Sequence, residues 1–224
     1  AENLLYGNQK VYEGSIGTSI AKVFDMTVAS TGLPAKKLKQ EGIAFISSTT
    51  HPSSHAGYYP NALPMSIKIT FDPQTGRLYG AQIVGYDGVD KRIDEMALVI
   101  KKNGTVYDLT EVEQAYAPPF SSAKDPVALA GYVAENMIKD RVKPAYWRDV
   151  QNADPNTSFL LDVRTVDEAS LGSIPGAVNI PLADLRTRHT ELDRGLRTVV
   201  ICGSGQRSST GCSLLLQRGF ANVI

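Results

Sequence analysis

The hydrophobic pattern changes its period once along this 224-residue chain, and that change limits the folds open to it. Residues 65–71 alternate apolar and polar side chains, which predicts a strand with one buried face. Turn-forming residues follow at 72–76, and 78–84 predicts the return strand of an antiparallel hairpin. After a polar segment at 138–156, short apolar runs alternate with helical stretches, as is typical of a parallel α/β sheet.

The pattern therefore predicts two domains with different architectures. Residues 1–140 should form an α+β domain with an antiparallel sheet plus helices, and residues 145–224 an α/β domain with a parallel sheet. Further strands are predicted at 18–30, 44–50, 159–163, 177–180 and 198–202. Helices are predicted at 33–42, 92–102, 109–115, 126–138, 184–192 and 208–217.

Composition excludes several classes of function. The 23 basic and 23 acidic side chains cancel, so no broad positive field favours nucleic acid or an anionic membrane as a partner. No apolar run approaches the ~20 residues of a membrane-spanning helix, and the first residues lack the pattern of a secretory signal. His51, His55 and His189 are not spaced as a metal set. With only two cysteines, nothing indicates an oxidising compartment, and we expect a cytoplasmic protein without metal.

The segment 198–208 carries the clearest chemical signal. A buried strand should deliver Cys202 to its carboxyl end, where open α/β sheets place their ligand sites. A glycine-containing loop and a helix beginning near Ser208, a good N-cap residue, would aim backbone N–H groups at the sulfur, and Arg207 would add a positive charge. Such surroundings favour the nucleophilic thiolate. The alternative is that Cys202 only ends a core strand; for Cys212, within an apolar helical run, the core interpretation is preferred.

These residues resemble the rhodanese family of sulfurtransferases. Cys202 to Arg207 resembles its six-residue active loop, whose cysteine carries a persulfide, and Gly203, Ser204, Gly205 and Gln206 would then form the cradle. Asp162 and Arg164 lie in a segment similar to the family's first-strand signature, and 174–181 resembles its Ile-Pro-Gly-Ala segment. Ser173 stands where the family has His. The family usually continues beyond 221–224 with a Gly-Gly turn and a last helix, so we expect a domain truncated at its C-terminus.

Residues 1–140 resemble the dimerisation domain of pyridine nucleotide–disulfide oxidoreductases, in the coenzyme A-disulfide reductase branch that includes fusions to rhodanese. The similar segments are 17–25, 57–60, 80–82, 88–92 and 116–126. The resemblance implies a homodimer through this domain, with FAD, NAD(P)H and coenzyme A bound mainly by preceding domains. It also implies catalytic roles for Tyr58 and Tyr116 in coenzyme A thiol chemistry, and a place beside the partner's flavin for Pro118, Pro119 and Phe120. A phenol with a pKa near 10 can donate a proton to a leaving thiolate.

The favoured interpretation is a fragment of an FAD- and NAD(P)H-dependent reductase of CoA disulfide, CoA persulfide or polysulfide, with Cys202 carrying sulfane sulfur. One alternative is a stand-alone thiosulfate-type sulfurtransferase with a dimerising attachment. Another is an interaction module without catalysis.

Overall fold

A computed structural model describes residues 2–7, 9 and 11–224, with Glu2 described by its backbone alone. The described part of the first half contains five strands and five helices. In chain order these are α1 (Glu2–Tyr6), β1 (Ser19–Val23), β2 (Met26–Gly32), α2 (Ala35–Gln40), β3 (Ile46–Thr50), β4 (Met65–Phe71), β5 (Leu78–Gly85), α3 (Val89–Lys101), α4 (Asp108–Glu111) and α5 (Pro126–Ile138).

The five strands form one sheet in the order β1-β2-β5-β4-β3, and every neighbouring pair is antiparallel. The alternating pattern of β4 buries Ile67, Ile69 and Phe71 on one face of this sheet. Apolar residues of α3 and α5 pack against that face, because both helices carry apolar side chains at helical spacing. The predicted α+β architecture is confirmed.

The prediction of one strand over 18–30 is wrong. The segment forms two strands, β1 and β2, joined by a tight turn at Phe24 and Asp25, where Phe24 has a φ of 54°. β-branched residues stand on both sides of the turn, so composition alone hides the reversal. The helix predicted at 109–115 is also shorter, because the backbone becomes extended at Val112.

Gly32, at the end of β2, is required by two independent features. Its φ of 69° lies in the left-handed region that favours glycine. A Cβ at this position would also lie 2.2 Å from the carbonyl oxygen of Tyr79. The backbone at the end of β2 can therefore pass this close to β5 only at a residue without a side chain.

The second half of the chain is a smaller parallel sheet with surrounding helices, which confirms its predicted architecture. Its elements are α6 (Trp147–Gln151), β6 (Ser158–Asp162), α7 (Val166–Ser170), β7 (Val178–Asn179), α8 (Leu182–Arg188), a 3₁₀ turn (His189–Glu191), β8 (Arg197–Ile201) and α9 (Gln206–Gln217). The strand order is β7-β6-β8, and both pairs are parallel. α9 and α8 pack beside this sheet around Leu161, Leu185 and Leu215.

Two details of this half differ from the sequence prediction. α9 begins at Gln206 and its N-cap is Gly205, with a φ of 91°, so the prediction that the helix starts near Ser208 is wrong. The short helices α6 and α7 were not predicted. Residues 222–224 run along the free side of β8, where the Val200 N–H donates to the carbonyl of Ile224 at 2.8 Å. The strand that leads to Cys202 therefore has hydrogen-bonded neighbours on both sides.

Candidate active site

Cys202 follows directly after β8, and the loop between β8 and α9 wraps around its sulfur. The Gly205 N–H donates to Sγ at 3.1 Å and the Ser208 N–H donates at 3.3 Å. The Ser208 Oγ lies 3.5 Å from Sγ, and its hydroxyl donates to the Gly205 carbonyl at 3.0 Å. The left-handed backbone of Gly205 turns the loop so that these groups converge on one atom.

This geometry favours ionisation of the thiol. Partial burial acts to raise the pKa of Cys202, but contact with the Ser208 side chain and hydrogen bonds from the backbone N–H groups of Ser208, Ser204 and Gly205 outweigh it. The Ser208 hydroxyl donates to the Gly205 carbonyl beside the neutral thiol and can turn to donate to the thiolate. The net effect is a pKa below the ordinary thiol value. The thiolate is the nucleophilic form of cysteine, so the loop prepares Cys202 for attack on sulfur.

The two arginines of the site are each paired with a carboxylate. Arg207 makes a two-pronged ion pair with Glu168, at 2.5 and 2.7 Å, and this contact lowers the pKa of Glu168 to about 2. Arg164 pairs in the same way with the buried Asp162, at distances of 2.7 to 3.0 Å. The sequence prediction assigned the lowering of the thiol pKa partly to Arg207. In the structure hydrogen-bond donors of the loop surround Sγ, and the guanidinium, held by Glu168, also interacts electrostatically with Cys202.

A cleft of about 340 Å³ opens beside Cys202. Asp162, Arg164 and Ser173 line its polar side, and Ile174, Ala177 and Ile201 line its apolar side. The Ser173 hydroxyl donates to Asp162 at 3.3 Å, so the residue that replaces the family His belongs to the wall of the cleft. The thiol is thus reachable by a small molecule, and a cysteine that merely ended a core strand would not be.

Ser208→Ala is expected to raise the pKa of Cys202, because the variant lacks the side-chain contact that lowers it. The backbone N–H of residue 208 remains in the variant. Thiolate absorbance followed against pH measures the shift. Ser209→Ala, one residue further along α9, is the control, because its hydroxyl is not among the groups that contact Sγ. An unchanged pKa in Ser208→Ala would contradict the role of this hydroxyl.

Cys212 has the opposite surroundings. It is buried in the core of the second half, and burial raises its pKa to about 12. A thiol with that pKa stays protonated at neutral pH and is a poor nucleophile.

Tyr58 and Tyr116 lie together although 58 residues separate them. Their hydroxyl oxygens are 3.3 Å apart, and the hydrogen bond with Tyr58 raises the pKa of Tyr116. Both side chains are exposed, Tyr58 to 77% and Tyr116 to 50%. Each stands on a loop outside the sheet, at 52–64 and 112–125.

The Pro118-Pro119-Phe120 segment forms a tight turn directly after Tyr116. The Phe120 N–H donates to the Ala117 carbonyl at 2.9 Å, and Lys91 Nζ donates to the Phe120 carbonyl at 3.1 Å. The Phe120 ring is 70% exposed. A large apolar side chain held outward on a constrained turn is suited to a contact beyond this chain.

The structure thus brings the predicted site residues together in two places, one around Cys202 and one around the tyrosines. Within the described residues, no group of three or more His, Cys, Asp or Glu side chains is arranged to hold a metal ion. In the same part of the chain, no helix has the length and apolar character needed to span a bilayer. Glu168 was missed by sequence reasoning; the Thr165-x-x-Glu168 capping box marks it as the start of a helix and gives no sign of its contact with Arg207.

Comparison with known proteins matches two family models to this chain, one in each half. Residues 18–128 match the pyridine nucleotide-disulphide oxidoreductase dimerisation domain, and residues 145–224 match the rhodanese-like domain. The chain is 40% identical over 132 residues to a coenzyme A disulfide reductase of Staphylococcus epidermidis, which covers 58% of this chain and 30% of that protein. The chain thus spans about a third of the length of the curated relatives it matches.

Two solved structures resemble nearly the whole chain. Reduced CoADR-RHD from Bacillus anthracis has a TM-score of 0.94 and 43% identity, over 99% of this chain and 40% of that one. A NAD-dependent persulfide reductase from A. fulgidus has a TM-score of 0.88 and 32% identity, over 97% of this chain and 39% of that one.

The chain therefore combines the dimerisation domain of the pyridine nucleotide-disulphide oxidoreductase family with a rhodanese-like domain. Within that class, the resemblance to coenzyme A-disulfide reductases fused to rhodanese is confirmed.

Proposed function

We propose that this chain is the sulfur-handling part of a reductase that acts on CoA disulfide, CoA persulfide or polysulfide with FAD and NAD(P)H. Its domains would divide at 1–140 and 145–224, the first would form a homodimer, and the protein would work in the cytoplasm. The observation that carries the proposal is the set of N–H groups and the hydroxyl around Cys202 Sγ, at 3.1 to 3.5 Å.

Cys202 would act as a sulfur carrier. Its thiolate attacks the outer sulfur of an organic persulfide R–S–SH, a new S–S bond forms, and the original S–S bond breaks. The R–S⁻ group leaves and takes up a proton, so the sulfur is transferred without net oxidation or reduction. The loop donors that stabilise the thiolate are suited to the outer sulfur anion of the resulting Cys202 persulfide, since it carries the same charge slightly further out. Arg207, anchored by Glu168, and Arg164, anchored by Asp162, would hold the cleft in shape.

Tyr58 and Tyr116 would serve the reductive half of the reaction. When S–S bonds of CoA substrates are reduced, each leaving thiolate needs a proton, and a phenol at hydrogen-bond distance can donate it. The 3.3 Å contact lets one hydroxyl support the other during that transfer. Pro118, Pro119 and the exposed ring of Phe120 would pack beside the flavin of the partner subunit. A flavin reduced by a nicotinamide nucleotide supplies two electrons.

Joining both sites in one chain has a kinetic advantage. A sulfur carrier tethered to the reductase is presented at a high effective concentration, on the order of mM for short flexible connections. This reasoning supports a link between the persulfide on Cys202 and the reduction site.

The test is the complete protein that contains this chain. We expect it to oxidise NADH or NADPH when CoA disulfide, CoA persulfide or polysulfide is added, and to show a flavin spectrum. If none of the three substrates is reduced while thiosulfate still loads sulfur on Cys202, the stand-alone sulfurtransferase is the correct interpretation. If none of the three substrates is reduced and Cys202 gains no sulfur from any donor, the chain is an interaction module.

A further inference from the structure

The first half of the chain contains a buried ion pair that sequence reasoning did not use. Arg92, on α3, and Asp125, which caps α5, have side chains exposed to 0% and 2%. Arg92 Nη2 donates to Asp125 Oδ2 at 2.9 Å and Nε donates to Oδ1 at 3.2 Å. Burying two charges is costly, and an apolar pair of similar volume is often as stable. The pair therefore invites an explanation other than stability.

The remaining donors of Arg92 reach separate loops. Nη2 also donates to the carbonyl of Ser54 at 2.8 Å, and Nη1 donates to the carbonyl of Gly88 at 2.9 Å. Ser54 lies near the start of the loop that carries Tyr58, and Asp125 ends the loop that carries Tyr116. One guanidinium thus ties both tyrosine loops to α3.

The two loops are also tied to each other close to this guanidinium. The Ala56 N–H donates to the Ser121 carbonyl at 3.1 Å, and the Ser121 hydroxyl donates to Asp125. Ala56, Ser121 and Asp125 are all buried, whereas the tyrosine rings are exposed. The exposed rings have little packing of their own to keep their hydroxyls together, whereas the bases of both loops are anchored.

Gly88 supports the same geometry. A Cβ on Gly88 would lie 2.2 Å from Arg92 Nη1, so this position must lack a side chain for the guanidinium to stay where it is. Its φ of 66° also requires a residue that accepts the left-handed region.

We propose that Arg92 is a positioning residue, which sets the distance between the Tyr58 and Tyr116 hydroxyls by fixing the bases of both loops through Asp125 and Ser54. The consequence for catalysis rests on the proposed function of the tyrosines. The positioning itself does not, because it concerns contacts within this chain.

Arg92→Lys tests the proposal with the charge retained. One ammonium can stay near Asp125 but cannot reproduce the planar fork that reaches Ser54 and Gly88 at the same time. Ionisation of Tyr116 is followed by NMR of ¹³Cζ-labelled tyrosine, with its signal assigned from Tyr116→Phe. In the unaltered chain the hydrogen bond with Tyr58 raises the pKa of Tyr116 from its ordinary value. In Arg92→Lys we expect the pKa of Tyr116 to fall to the value measured in Tyr58→Phe.

Two further variants keep the test decisive. Ile83→Val, in the buried face of β5, weakens the core without touching either loop, and its Tyr116 should titrate as in the unaltered chain. Arg92→Met combined with Asp125→Asn removes both charges but keeps an N-cap side chain for α5, so it addresses the case in which Arg92→Lys fails to fold. It should also lose the tyrosine contact.

The proposal is overturned if the pKa of Tyr116 in the folded Arg92 variants equals that of the unaltered chain. It is also overturned if Ile83→Val lowers this pKa equally, since a general loosening of the domain would then explain both. Neither result depends on reductase activity, so failure of the proposed function would leave this test intact.

Discussion

Cys202→Ser is expected to abolish the loading of sulfane sulfur onto this chain. After incubation with an organic persulfide, intact-mass spectrometry should show one added sulfur on the unaltered chain. The rate at which the variant gains this mass should be lower by on the order of 10³-fold or more. The reason is that a serine hydroxyl stays protonated at neutral pH, so the donors around Sγ have no anion to stabilise.

Cys212→Ser is the matched control for this experiment. It makes the same replacement of sulfur by oxygen ten residues away, in the core, where burial holds the thiol protonated. We expect sulfur loading to persist at the normal level in this variant. Loading that follows Cys212 instead of Cys202 would refute the assignment of the carrier.

Arg92→Met is expected to lower the free energy of unfolding by about 3–5 kcal/mol at neutral pH, because it leaves the carboxylate of Asp125 buried without its partner. Chemical denaturation of both proteins measures the difference. Arg77→Met is the control, since Arg77 is exposed and its guanidinium donates to a neutral side chain, that of Asn103, at 2.7 Å. Its effect should stay within about 0.5 kcal/mol.

The deficit of Arg92→Met should depend on pH in a defined direction. Burial acts to raise the pKa of Asp125, but hydrogen bonds from Arg92, Ser121 and Val127 outweigh it and lower the pKa in the folded chain. A carboxyl whose pKa is lower in the folded chain stabilises the fold fully above its pKa in the unfolded chain, about 3.9. This stabilisation is lost as the pH falls through the pKa of the folded chain. The difference between the two proteins should therefore be largest near neutral pH and narrow below about pH 4. A difference that grew in acid would show that Asp125 is not the group left unpaired.

Sequence reasoning predicted what is encoded locally. The loop around Cys202 combines a buried strand, glycines and a helix start within eleven residues, so its position at the end of β8 follows from neighbouring residues alone. The helix 126–138 was predicted at its observed bounds; Pro126 suits the first position of a helix, and in the structure Asp125 caps it. Ser208 was expected to cap α9, but Gly205 takes that role because only its left-handed backbone can close the loop, and this leaves Ser208 as a partner of the thiol.

Contacts between distant segments were not accessible in the same way. The meeting of Tyr58 and Tyr116, and of Arg207 with Glu168, depends on how separate loops are anchored. Arg92 did leave a trace in the sequence, because it falls on the same face of α3 as Val89, Ile93 and Met96, which are all buried. A cation within an apolar stripe predicts a buried counter-ion, but its identity, 33 residues away, is determined by tertiary structure.

Arg164 and Arg207, the two arginines near Cys202, are each paired with a carboxylate, and this gives the cleft a simple acid–base character. The pKa values of Asp162 and Glu168 are lowered, and those of Arg164 and Arg207 are raised. Among the described groups of the cleft and its ion pairs, these four keep their charges from weakly acidic to weakly alkaline solution, so their charges stay constant while Cys202 ionises. With thiosulfate as donor, which does not ionise in this range, the rate of sulfur uptake against pH should then follow a single-proton curve that reports the ionisation of Cys202.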